Sequence, residues 1–403
     1  MDKSESVETN RGAGGKDKLR ILLVVYLPWE ARLGAVKVFM ELEQAWRAAG
    51  HCVDIFSMDR AFPVRTSSSP LAALRQLLFN RKAAQFIRNN ADRYDVVDAL
   101  VGSLRASKAQ LGFRGLLVAR SVGLYRLYDR FEREASRRWP VPGGKAIGKI
   151  YYTMIAAWLR RASDAAITNA DLVNVPNEDE AECLRKEEGA RLSITVHGYG
   201  LPEERRLAFA QSAAAPDLRR NARTIGFIGA LSPRKGSKDW ARIVRLVWAQ
   251  IPDACFLFLG TLTDDANVLN DLGLSRSNLV GIVREYQPDE LPQRLSNCTA
   301  GAFPTYAEGF GFALLEQLAS GIPTVAYDSP GPRSILSSIL PQLLVSAGDV
   351  DQLSAALVRI LRMNAPEYDL LSRQSRHAAN RFDWNTIARE TAQSYQDKIG
   401  ELP

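Results

Sequence analysis

The chain is poor in the residues that build metal sites, disulfide frameworks and membrane spans. Its 403 residues include only four cysteines and three histidines. Cys52, Cys183, Cys255 and Cys298 lie far apart with no Cys-x-x-Cys pair, which excludes a disulfide scaffold and suits a reducing compartment. Among His51, His197 and His377, only His51 has a cysteine beside it, so metal-ligand spacing is missing and no metal is expected. The longest unbroken apolar run, Ile21 to Leu27, has seven residues, whereas a spanning helix takes roughly 20. Residues 1–18 carry Asp2, Glu5 and Glu8 with no apolar stretch, so they do not read as a secretory signal; a disordered tail is expected.

What is present is material for ordinary cores. Apolar residues make up 46% of the chain and charged residues 24%, which excludes bulk disorder, and the length allows two to three domains of roughly 150 residues. Charge is unevenly spread. Residues 60–161 hold 20 Lys and Arg against 6 Asp and Glu, while the rest holds 32 against 39. A field of that sign attracts lipid headgroups, nucleic acid or phosphorylated substrates, although a solvated basic face needs no partner.

The order of patterns predicts two α/β units. Ile21 to Leu27, stopped by Pro28, reads as a strand buried on both faces; Val36, Phe39, Leu42 and Trp46 then recur at helical spacing before Gly50 and the run Val53 to Phe56. Further strands are expected at 96–97, 116–118, 165–167 and 194–196. Residues 203–223, with Ala213-Ala214-Ala215-Pro216 and many charges, suit an interdomain linker. A second alternation places strands at 224–228, 255–259, 279–283, 299–303 and 324–327. Two doubly wound parallel sheets facing a cleft follow, with ligands expected in the loops after the strands.

The stretch from Pro304 to Pro323 is the most informative. A strand ends at Phe303, a loop carries Glu308, and Gly309 and Gly311 flank Phe310 just before a helix that Gly321 and Pro323 terminate. Glycines admit a ligand close to the backbone, and a helix N-terminus offers unsatisfied N–H groups and a positive dipole end to a phosphate. Glu316, in the second turn of that helix, is placed to accept hydrogen bonds from sugar hydroxyls, with Glu308 across the same phosphate. Solvated carboxylates and an incidental Gly-x-Gly account for the same residues equally well.

The Glu-x7-Glu pattern around Gly309-Phe310-Gly311, with Pro304 before it and Ala319-Ser320-Gly321-Ile322-Pro323 after it, resembles the signature of retaining, nucleotide-sugar-dependent glycosyltransferases of family 4. These have the GT-B fold, two facing Rossmann-like domains. Gly229 to Gly236 resembles the family's loop after the first strand of the nucleotide domain, where an Arg and a Lys neutralise the donor diphosphate. Lys235 holds the family position, but Ala230 stands where the Arg is usual, which leaves Arg234 as the substitute or the diphosphate less firmly held. Gly34 resembles the family's glycine near the donor phosphate or the acceptor. Gly50-His51-Cys52-Val53, Val196 to Gly200 and Phe382-Asp383-Trp384 extend the resemblance over residues 19 to 400, and His51 is expected to be structural. One departure is marked: Ser121 or Val122 occupies the place of a His that lines the reaction centre in many members.

The resemblance implies an acceptor-side domain over 19–202, completed by a terminal helix at 384–400, and a nucleotide-sugar domain over 224–383. It implies a glycosyltransferase that moves a sugar to an acceptor hydroxyl with retention, in polysaccharide, lipopolysaccharide or glycolipid synthesis. Lys235 and Glu308 are the expected catalytic residues; Arg234, Gly309, Phe310, Gly311, Glu316 and Gly34 are expected to hold the donor. The nucleotide sugar is a substrate, and no cofactor is expected. A sugar or lipid-linked acceptor is implied, in a cytoplasmic protein with an option of peripheral contact with an anionic membrane surface. The segment Lys145 to Arg161, apolar with cationic ends, suits either a helix at such an interface or one packed on its own domain. An epimerase or hydrolase of the same fold, or a non-catalytic paralogue, fits the departures at Ala230 and Val122. A nicotinamide enzyme does not fit, because Pro28-Trp29-Glu30 follows the first strand, and nucleic acid is not an expected partner.

Overall fold

The structure is a computed structural model, which describes residues 18–30, 33–64, 69–139, 146–275 and 277–402. The expected tail at 1–17, Lys145 and the side chains of residues 146–156 lie outside the described residues.

The described residues form two six-stranded parallel sheets with helices between the strands. The first runs β2-β1-β3-β4-β5-β6, with β1 at Arg20–Val25, β2 at Cys52–Ser57, β3 at Val96–Leu100, β4 at Leu116–Arg120, β5 at Leu172–Val175 and β6 at Ile194–Val196. The second runs β12-β11-β10-β7-β8-β9, with β7 at Thr224–Ile228, β8 at Cys255–Leu259, β9 at Val280–Val283, β10 at Cys298–Phe303, β11 at Thr324–Tyr327 and β12 at Leu344–Val345. Strand order reverses between β1 and β3 in the first sheet and between β7 and β10 in the second. Those reversals open the crevices in which doubly wound sheets bind ligands. The loops after β7 and β10 therefore border one crevice, that of the second sheet.

Two elements differ from the sequence reading. Ala165 to Ile167 is the last turn of the Ala146–Thr168 helix, and the strand is β5, four residues later. Alanine favours helix, and Asn174 interrupts the apolar run that would have marked β5. Residues 203–223 are two helices, Glu203–Ser212 and Pro216–Ala222, where a linker was expected. Arg219 anchors the second of these: its buried guanidinium donates to the carbonyls of Cys298, Ser320 and Gly321 at 2.8–3.2 Å. The two-residue strand β12 is also absent from the sequence reading, being too short to leave a period.

The Trp384–Gly400 helix returns to the first domain. Trp46 Nε1 donates to the Ala388 carbonyl at 2.9 Å, and Arg120 donates to Tyr395 Oη at 2.6 Å. Arg120 and Asp98 are fully buried and paired at 2.7 Å beneath this helix. Removing one partner of such a pair costs about 3–5 kcal/mol, because the other charge is then buried alone. His51 accepts from the Leu19 amide at 3.0 Å, a structural role.

Candidate functional site

At the switch point of the second sheet, the loop after β7 and the loop after β10 are packed backbone to backbone. Gly236, at φ +79°, has no room for a Cβ, which would stand 2.4 Å from the Pro304 carbonyl, and the Tyr306 amide donates to the Arg234 carbonyl at 2.9 Å. This approach brings Arg234 and Lys235 to Glu308. Lys235 Nζ pairs with Glu308 Oε2, while Arg234 lies 3.5 Å from the same oxygen and donates to the Ala307 carbonyl at 2.8 Å. Burial pushes the Glu308 carboxyl up, but Lys235 and Arg234 more than offset this and hold it below its ordinary value. Arg234 thus stands beside Lys235, and Ala230 leaves no gap in the local positive charge.

Gly311, at φ +107°, precedes the Phe312–Ala319 helix. Among the described residues, the amides of Phe310 to Ala313 have no acceptor, so the helix N-terminus offers its N–H groups to a ligand. The Gly309 amide does not join them, contrary to the sequence reading, since it donates to Tyr128 Oη at 3.0 Å. The Phe310 side chain is core, packed 5.4–5.5 Å from the rings of Tyr199, Phe312 and Phe382, so it offers a ligand only its backbone.

Facing this loop is the first domain. A cavity of about 280 Å³ lies between the two, walled by Gly34 at the start of the Gly34–Ala48 helix, by Val122, and by Glu308, Gly311 and Phe312. Val122 faces the cleft. Ser121 turns away from it, donating to Glu180 Oε2 at 2.7 Å and accepting from Tyr199 at its carbonyl. An apolar side chain therefore occupies the wall where the resemblance places a His.

Glu316 sits at the Phe312 end, but paired with residues that sequence reading did not single out. It accepts from Arg205 Nη2 at 2.8 Å and from Lys37 Nζ at 3.4 Å, and only 6% of it is exposed. Burial raises its carboxyl and the two cations more than offset this, so it stays ionised. Lys37 comes from the first domain, 279 positions away; Arg205 lies in the presumed linker, 111 positions away. Neither residue type nor spacing could have named them. Among the described residues, no group of three His, Cys, Asp or Glu is placed to hold a metal ion.

A crevice at a switch point, two cations on a half-buried Glu and free helix amides thus converge, an arrangement that can receive an anion. Residues 222–363 match the family described as Glycosyl transferases group 1. Those residues are similar to a glycosyl transferases group 1 domain. The similarity to curated proteins is longer but weak. The chain is 27% identical over 248 residues to a D-inositol 3-phosphate glycosyltransferase of Mycobacterium marinum, covering 59% of this chain and 52% of that protein. It thus spans about half the length of that relative. It is 22% identical over 285 residues, 67% of each chain, to an Escherichia coli UDP-Gal:alpha-D-GlcNAc-diphosphoundecaprenol alpha-1,3-galactosyltransferase. Sucrose-phosphate synthase from Thermosynechococcus elongatus superposes with a TM-score of 0.70 at 18% identity, covering 95% of this chain and 100% of that one. The fold is GT-B, and the matched residues 222–363 lie in its second half.

Proposed function

We propose that the protein is a glycosyltransferase that takes a sugar from a nucleoside diphosphate sugar and joins it to an acceptor hydroxyl with retention, as a member of family 4. The observation that carries this reading is the convergence of Arg234, Lys235 and the Phe312–Ala319 helix N-terminus on Glu308, opposite Gly34. The bond between the anomeric carbon and the diphosphate breaks, the bond to the acceptor oxygen forms on the same face of the sugar, and the acceptor hydroxyl's proton passes to the departing diphosphate oxygen. Charge developing on the departing diphosphate is met by Arg234, Lys235 and the free amides, groups already fixed before reaction. Glu308 orients the transferred sugar and Glu316 the ribose. The match to a UDP-galactose-dependent relative makes UDP the first nucleotide to test.

Calorimetry with UDP, followed by NMR of the anomeric proton of the product formed from UDP-sugars, tests the reading. UDP binding and a product of unchanged anomeric configuration are expected. Inversion would remove the family 4 assignment, release of free sugar without transfer would favour a hydrolase, and failure to bind any nucleoside diphosphate would remove the donor site.

The place of action we propose is the cytoplasmic face of an anionic membrane. Leu71, Leu74 and Leu77 on the Ser69–Arg88 helix are 41–49% exposed within the basic segment, an apolar strip among cations. Among the described residues, no helix is long and apolar enough to cross a membrane. Flotation with anionic vesicles at low salt, lost at raised salt, is expected; absence from such vesicles would favour a soluble acceptor.

A further inference from the structure

Beyond the donor cleft, a second cavity of about 270 Å³ lies on the other side of the 307–309 loop, between the two domains. Tyr128, Phe131, Trp139 and Tyr306 form its walls, with the Tyr306 ring 5.7 Å from both Phe131 and Trp139. Tyr306 is fixed from behind by Asp239 Oδ2, which accepts from its hydroxyl at 2.8 Å. Glu308 borders this cavity and the donor cleft alike, so a ligand here has its near end at the reacting centre. Glu180 also lies in the wall: it is fully buried, and its Oε1 has no hydrogen-bond partner among the described residues. Flat aromatic faces with carboxyl groups at their edges suit the ring of a sugar, apolar on its C–H face and hydroxylated at its rim.

The outer mouth has a different chemistry. Arg130 and Glu134 are shared with an adjoining groove of about 710 Å³, which Arg133, Arg137 and Arg160 also line. Positions 130, 133 and 137 fall on one face of the Tyr125–Arg138 helix. Arg133 and Arg160 are partly neutralised by Asp129, and Arg126 by Asp164, Glu187 and Glu188. Among the described residues, Arg130, Arg137 and Arg138 have no carboxylate partner, and Arg138 lies over the Trp139 ring at 4.9 Å. Guanidinium groups without carboxylate partners at the mouth of a pocket are suited to a phosphate, which they bind through paired N–H donors.

We infer that this cavity is the acceptor site and that the acceptor is a sugar carrying a phosphate or diphosphate: the sugar ring lies among Tyr128, Phe131, Trp139 and Tyr306, and the anion rests on Arg130, Arg137 and Arg138. The inference rests on the glycosyltransferase reading above and names the substrate class for it. A soluble sugar phosphate and a lipid diphosphate sugar present the same chemistry to these arginines.

The test uses the full chain saturated with UDP, so that the donor site is filled. Glucose, galactose and N-acetylglucosamine are each titrated as the free sugar, as the 1-phosphate and as the diphosphoundecaprenol conjugate in neutral detergent micelles. At least one phosphorylated form is expected to bind tenfold or more tightly than its free sugar, with an advantage that shrinks as salt is raised. Arg130→Glu with Arg137→Glu, both at exposed positions, should abolish that advantage while UDP affinity is kept. Preference for the 1-phosphate identifies a soluble acceptor, and preference for the micellar conjugate a lipid-linked one. If UDP binds but phosphorylated and free sugars bind within twofold of each other, or the advantage survives charge reversal, the inference is overturned. If UDP itself does not bind, it is the donor reading that fails, and this inference fails with it.

Discussion

Asn177 Nδ2 lies 2.6 Å from the carbonyl oxygen of Gly309, a hydrogen bond from the first domain to the loop at the switch point of the second. The other end of the same amide caps the Glu178–Glu188 helix, with Oδ1 accepting from the Glu180 amide at 2.9 Å. One side chain thus fixes a helix start and holds the cleft closed. Asn177→Asp keeps an acceptor for the cap but replaces the donor with a negative charge facing a carbonyl. Because Asn177 is buried, that charge should cost on the order of 1–3 kcal/mol of stability, and hydrogen exchange at the Gly309 to Phe312 amides should quicken. Asn177→Ala, which buries no charge, should lose about 1 kcal/mol through the missing cap. Unchanged exchange in the Asp variant would show that the bond does not hold the cleft.

Gly309→Ala probes the same closure by a different means. An added Cβ would stand 2.7 Å from the Val122 carbonyl oxygen and from Gly123 Cα, both backbone atoms that cannot rotate aside. The domains must separate to accept it. A larger radius of gyration by small-angle scattering is expected, with UDP bound but transfer reduced by tenfold or more. A variant as compact and active as the parent would mean that the approach is not required for the reaction.

Lys235→Ala should lower turnover more than Arg234→Ala. Lys235 is 15% exposed and pairs with Glu308 at closer range, whereas Arg234, at 31%, divides itself among Glu308, the Ala307 carbonyl and the Tyr128 ring. If both cations act on one diphosphate, as proposed, the two defects should overlap in the double variant. Equal and trivial losses in steady-state transfer would reject the diphosphate role for both.

The sequence disclosed what local pattern and motif can carry. β7, β8 and β10 were legible because each is a short apolar run bounded by turn residues, and the group 1 loop was legible because Glu308, Gly309, Gly311 and Glu316 stand within nine residues. β5 was not, since Asn174 breaks its run for the sake of a buried hydrogen bond with Arg120 at 3.1 Å. The helices of 203–223 were not, because what makes them part of the second domain is Arg219 reaching carbonyls about 80 to 100 positions away. Tyr128, Asn177 and Lys37 reach the site from the first domain, and no spacing along the chain records a contact across a cleft.

Glu316 offers a prediction with two arms. Glu316→Ala should weaken donor binding by about 1.5–3 kcal/mol, the range for hydrogen bonds involving a charged group. If a ribose takes its place on Glu316 by displacing the weaker partner, Lys37 at 3.4 Å, then Lys37→Ala should leave UDP affinity unchanged or raise it. Arg205→Ala should lower it, because Arg205 at 2.8 Å orients the carboxylate. Calorimetry that ranks the two variants the other way would mean that Lys37 binds the donor.

Glu180 gives a pH signature. Burial pushes its carboxyl up to about 7, despite the Ser121 hydroxyl that it accepts. The folded protein therefore holds a proton that the unfolded chain releases at its ordinary value of 4.5. Stability from this group is full below that value, falls as pH rises toward about 7, and is flat beyond it. Glu180→Gln keeps the shape and cannot ionise. Urea unfolding should find the Gln variant gaining on the parent between pH 5 and 8, by on the order of 3 kcal/mol over the full titration. His197 is pushed down to about 4 by burial and then by Arg120, so its contribution runs the opposite way, with stability rising as pH climbs toward its ordinary 6.5. Because His197 is present in both proteins, the difference between them isolates the carboxyl. Parallel pH profiles for parent and variant would show that Glu180 ionises in the folded protein at its ordinary pH and is not held neutral in the cavity wall.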